Sequence, residues 1–211
     1  HWDIDTFEYY LIKLLRKPIF VEWIGSDIRV PEIVFRENHY YKDAWENGDW
    51  DYKMESMERS NRIQKKFYQL KAMPTVRVEI SLHLNRTFFP KHITFYQRID
   101  IRNYHAAYPS PDTKIPVLVH TPSATGTKGT RYVREAIEQL RSKGLQFEYV
   151  EIHNKTRQEA LNAILQADIF IDQFIVGSYG LATCEAMAMG KPVLCYLMDS
   201  VTQLLPAECP I

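Results

Sequence analysis

A chain of 211 residues with 45% hydrophobic and 25% charged content is an ordinary globular one, with room for two small domains or one large one. Twenty-six basic residues against twenty-six acidic ones leave no net charge, which argues against the concentrated cationic surface of a non-specific nucleic-acid binder. No apolar run approaches the length of a membrane span, the opening His-Trp-Asp-Ile-Asp is no signal peptide, and Cys184, Cys195 and Cys209 lack metal-type spacing, so reduced buried thiols are expected.

The first half carries the weaker signals. Residues 18–23 look like a strand ending in the turn Gly25-Ser26-Asp27. Between Arg36 and Lys71, Tyr40, Tyr41, Trp45, Trp50 and Tyr52 mix with charges. They predict an amphipathic helical stretch with a partly buried aromatic face, helical and charge-rich over 46–72, rather than a surface for an aromatic or sugar ligand. Residues 76–80 resemble a second strand. The stretch 85–112 carries turn residues and three prolines, which places a linker near 100–114.

The second half is more regular. Residues 115–120 form a short apolar run of the buried-strand kind, followed by a loop of small residues over 121–129. Tyr132, Val133, Ala136, Ile137 and Leu140 then recur at helical spacing, with Thr130 as the expected N-cap and Gly144 as the expected stop. A strand over 147–152 follows. Thr156-Arg-Gln-Glu159 matches a capping box and opens a helix to about Gln166. Residues 168–172 make the next strand, and a glycine turn, a short helix and a strand over 193–197 complete the series. Strand and helix in alternation predict an α/β fold: a parallel, Rossmann-like sheet with helices on both faces. Such sheets bind ligands beyond the carboxyl ends of their strands, and the loops 121–129 and 176–180 both leave that edge.

The most specific string is Gly177-Ser-Tyr-Gly180-Leu-Ala-Thr-Cys-Glu185-Ala-Met-Ala-Met-Gly190-Lys-Pro192-Val193. Gly177 and Gly180 permit a sharp turn and close approach of backbone to a ligand. The helix they open aims free N–H groups at an anion, while Gly190 and Pro192 end it. An anion that also carries hydroxyls, such as a sugar nucleotide, suits one carboxylate placed early on such a helix.

These residues resemble the retaining glycosyltransferases of the GT-B fold. The similarity lies in Thr127-Lys128-Gly129-Thr130 opening a helix, Ala167-Asp168-Ile169 entering a strand, and Gly180-Leu-x-x-x-Glu185-Ala-Met-Ala-x-Gly190-x-Pro192-Val193. A weaker likeness joins Trp23-Ile-Gly25-Ser26-Asp27-Ile-Arg29 to the acceptor-side domain of that family. The resemblance implies part of an N-terminal acceptor-side α/β domain over 1–105 and part of a nucleotide-sugar-binding domain over 106–211, both belonging to a longer chain. It implies transfer of a sugar from a nucleoside-diphosphate donor to an acceptor hydroxyl with retention, in the synthesis of cell-surface polysaccharide or glycolipid. Lys128 is then expected on the donor diphosphate and Glu185 on the ribose hydroxyls. Ser123, Thr125, Gly129, Gly177, Ser178, Tyr179, Gly180 and Leu181 are expected around the donor, and Gly25, Ser26 and Asp27 at the acceptor. No metal and no cofactor beyond the sugar nucleotide are expected, and no nucleic acid. The acceptor is a saccharide or a lipid-linked one, which allows peripheral membrane contact in a cytoplasmic protein at the inner face of the membrane.

Two positions depart from the family pattern. Gly177 stands where a first glutamate is usual, and Ser123 where an arginine is usual. They favour an alternative, a nucleotide-binding module without turnover. A dinucleotide-dependent oxidoreductase fits the sheet but requires a Gly-x-Gly-x-x-Gly string that the sequence lacks.

Overall fold

The computed structural model describes residues 7–209. In chain order its elements are α1 (Phe7–Leu14), β1 (Phe20–Trp23), α2 (Pro31–Val34), α3 (His39–Glu46), α4 (Met57–Gln69), β2 (Met73–Arg77), β3 (Ile93–Phe95), β4 (Val117–His120), α5 (Thr125–Lys128), α6 (Thr130–Ser142), β5 (Glu148–Glu151), α7 (Arg157–Gln166), β6 (Ile169–Ile171), α8 (Leu181–Ala188), β7 (Val193–Leu194) and α9 (Asp199–Thr202). Two compact units result. One joins residues 7–36 with 52–96, and the other joins 37–51 with 97–209.

The first unit holds a parallel sheet in the order β1-β2-β3. Side chains alternate across a strand, so Val21 and Trp23 turn inward while Phe20 and Glu22 face solvent. Trp23 meets Phe67 and Phe89 edge-on, with ring centroids 5.8 and 5.5 Å apart. Ser56 caps α4 by accepting from the Arg59 N–H. The helical reading of 46–72 is therefore too long, because residues 47–56 separate α3 from α4. The strand expected over 76–80 ends at Arg77, and Glu79–His83 is a 3-10 turn. β3 lies within the turn-rich stretch 85–112, where the sequence predicts no strand. It has only three residues, and its pairing with β2 comes from distant sequence. Buried here are the ion pair Arg29–Glu55, at 2.9 Å, and His83, whose pKa burial and then the Arg29 charge push down to about 3.

The second unit has a four-stranded sheet in the order β5-β4-β6-β7, parallel throughout. Adjacent residues of each strand serve opposite faces. Val119 and Phe170 pack with Ile164, Ala186 and Met189 from the α7–α8 side. Leu118 and Ile171 pack with Val133 and Ile137 of α6. The helices thus cover both faces, as the alternation of elements predicts. The capping box forms as written, Thr156 and Glu159 exchanging their bonds at the start of α7. Thr130 is a correction: Gly129 holds the cap position at φ 74°, and the Thr130 hydroxyl lies 3.0 Å from His120 Nε2 instead. Residues 37–51 belong here through α3. Asn38 caps that helix and donates its amide to the Ile175 carbonyl at 2.7 Å, while Tyr41 and Trp50 are buried in ring contact. Among the described residues no helix is long and apolar enough to cross a membrane.

Candidate functional site

β4, β6 and the helices they feed bring the two glycine-bearing corners together. β4 leads to α5, whose last residue is Lys128. β6 leads through Asp172 and the turn 173–180 to α8. Asp172 joins the corners. Its Oδ1 takes the Lys128 ammonium at 2.6 Å, and its Oδ2 accepts from the Gly180 N–H at 3.0 Å and the Thr183 hydroxyl at 2.6 Å. A carboxylate at the start of a helix is stabilised by the unsatisfied N–H groups there. In the sequence Asp172 is only the last residue of the strand expected over 168–172, but it is the residue that holds the two corners together.

The Lys128 amine lies 3.1 Å from where a Cβ on Gly180 would stand, so it sits over the first turn of α8. Glu185 comes five residues later, about 7.5 Å further along that axis at 1.5 Å per residue. Its carboxylate is 7% exposed. The Tyr104 hydroxyl donates to Oε1 at 2.9 Å, and Arg157 Nη2 forms a close ion pair with the same oxygen. Oε2 accepts nothing among the described residues. Arg157 also reaches the Tyr104 hydroxyl at 3.0 Å. Burial and then the Glu185 bond raise the Tyr104 pKa, and the Glu185 bond raises that of Arg157, so both stay protonated. Neither was a candidate from sequence: Tyr104 stood in the linker, and Arg157 stood inside a capping box that explained itself.

The α5 corner is less open than the sequence suggests. The Asp51 carboxylate accepts from both the N–H and the hydroxyl of Thr127, each at 2.7 Å. The Asp49 carbonyl lies against Gly126, and the Asp49 carboxylate pairs with Arg131 at 3.0 Å. Ser123 and Thr125 are exposed on this loop. Cavities open among the described residues of this unit. One of about 780 Å³ borders Thr125, Gly126, Gly129 and Arg131, and one of about 420 Å³ is apolar, with Tyr40, Tyr132 and Tyr196 at its wall. Lys128 and Glu185 line neither.

Gly177 stands at φ 73°, and a Cβ there would lie 2.3 Å from Met198 Cγ. A side chain has no room at this position. Gly177→Ala is expected to destabilise by roughly 2 kcal/mol, from the left-handed backbone and the collision with Met198 together. Urea unfolding checks it, and an unchanged midpoint contradicts the packing described. Ser178 is fully buried, its carbonyl accepting from Gln173 and its hydroxyl without a partner among the described residues. Tyr179 is half-buried, and Leu181 is exposed as the first residue of α8.

In the first unit, Gly25, Ser26 and Asp27 are engaged by their own surroundings. Arg59 Nη1 donates to the Ser26 and Asp27 carbonyls, Asp27 Oδ2 accepts from the Ile24 N–H, and the Arg29 guanidinium fills the space over Gly25. Nothing in these contacts marks an acceptor. The three cysteines are free and half-buried rather than fully buried, and burial pushes the thiols of Cys184 and Cys195 up to about 11. Among the described residues no group of three or more His, Cys, Asp or Glu is disposed to hold a metal. No known protein-family model matches the chain, and no curated protein matches it closely enough to show a relationship.

Proposed function

We propose that the second unit binds a nucleoside-diphosphate sugar and that the chain belongs to a retaining, metal-independent glycosyltransferase of the GT-B type. The carrying observation is the pairing, along one helix, of the Lys128 ammonium over the first turn of α8 with the Glu185 carboxylate, whose Oε2 accepts nothing among the described residues. A carboxylate oxygen free to accept suits a ribose diol. An ammonium beside N–H groups suits a diphosphate, and it helps most as charge builds on that diphosphate when it leaves. The acceptor is a saccharide or lipid-linked hydroxyl, in polysaccharide or glycolipid synthesis at the cytoplasmic face of a membrane.

A second reading, a nucleotide-binding module without turnover, is favoured by one feature. Asp51 and Asp172 already occupy hydrogen-bond donors at both corners, where phosphate oxygens would otherwise sit. Calorimetric titration with UDP, GDP and ADP, followed by a donor-hydrolysis assay, separates the readings. Glu185→Gln is expected to weaken the bound nucleotide by about tenfold, the worth of one charge-assisted hydrogen bond, and to leave inorganic pyrophosphate unaffected. Failure of every nucleotide to bind the unaltered protein overturns both readings, and binding without hydrolysis or transfer selects the module.

A further inference from the structure

We propose that Arg157 is a phosphate-binding residue of this site and that Tyr104 is its positioning residue, a proposal that rests on the nucleotide reading above. Sequence left the diphosphate with Lys128 alone, since Ser123 supplies no charge. A third corner of the same sheet edge supplies the missing cation. β5 ends at Glu151, and Arg157 opens α7 at the end of the loop that follows.

The guanidinium is built for a further partner. Only Nη2 is engaged among the described residues, by Glu185 Oε1 and the Tyr104 hydroxyl. Nε and Nη1 make no hydrogen bond or ion pair there, and the side chain is 64% exposed. With Nη2 engaged, the Nε and Nη1 N–H groups are left to donate singly to phosphate oxygens, each as a charge-assisted hydrogen bond. Tyr104 fixes the guanidinium, because its hydroxyl touches both Arg157 and Glu185. Two side chains in direct contact thus keep, among the described residues, an acceptor on one (Glu185 Oε2) and donors on the other (Arg157 Nε and Nη1). A nucleoside 5′-phosphate carries that complement, a diol and an anion on one sugar.

The test is titration of the full chain with uridine, UMP and UDP, and with the guanosine series if that base binds. Arg157→Ala is expected to weaken the mono- and diphosphates by roughly tenfold or more while leaving the nucleoside unchanged, and Arg157→Lys to recover part of the loss. Tyr104→Phe is expected to weaken UMP and UDP by a few-fold more than uridine, and an equal loss for all three overturns its role in positioning Arg157. Unchanged nucleotide affinity in Arg157→Ala, or an equal loss for uridine and UDP, overturns the role given to Arg157, while binding by the unaltered protein leaves the nucleotide reading standing. If the unaltered protein binds none of the ligands, both fall. The exposed position of Arg157 keeps the variant folded, which the melting temperature verifies.

Discussion

Asp172→Ala is expected to lower stability by about 3–5 kcal/mol, the range for removing one partner of a buried ion pair. The carboxylate is 2% exposed and serves three donors: the Lys128 ammonium, the Gly180 N–H and the Thr183 hydroxyl. Alanine leaves all three without their acceptor, and the ammonium, on a side chain only 16% exposed, has little water to replace it. A drop in melting temperature of roughly 10 °C corresponds to this loss in a unit of such size. Asp172→Asn retains one acceptor oxygen and the shape, so it is expected to fall between the variant and the unaltered protein. Calorimetric melting of the three proteins checks the order. Equal melting temperatures for all three would mean that the corners are held by something other than this carboxylate.

The same residue shows which parts of the molecule were legible in the sequence. The second-unit strands could be read because they are covered on both faces, so burial appears as an unbroken apolar run such as Val117-Leu-Val. Thr156 and Glu159 could be read because a capping box closes within four residues of chain. Asp172 could be seen but not weighed, since an aspartate after a strand looks alike whether it serves one donor or three. Tyr104 lies 81 residues from Glu185, and Asp51 lies 76 from Thr127. Partners brought together over such distances leave no periodic trace in either segment. The insertion of 37–51 into the second unit is illegible for the same reason: Trp50 looks like any helix-face aromatic until Tyr41 is placed against it.

That loop yields the sharpest steric expectation. Gly126→Ala puts a Cβ 1.6 Å from the Asp49 carbonyl oxygen and 2.8 Å from its carbon, a collision with backbone that no rotamer can relieve. Either α5 or the segment 49–51 must move. The segment is pinned by Trp50, which is 1% exposed against Tyr41, and by Asp51 on Thr127. Overpacking a fixed contact costs about 1–3 kcal/mol, and separating two backbones belongs at or above the top of that range. Gly126→Ala is therefore expected to lose roughly 3 kcal/mol or more, with increased hydrogen exchange at Thr127 because its N–H parts from the Asp51 carboxylate. Asp51→Ala removes the same acceptor without the collision, so it is expected to expose the Thr127 amide at a much smaller loss of stability. Chemical unfolding and amide exchange on the two variants separate the steric effect from the hydrogen bond. Gly126→Ala with the stability of the unaltered protein would contradict the placement of residues 49–51 against α5.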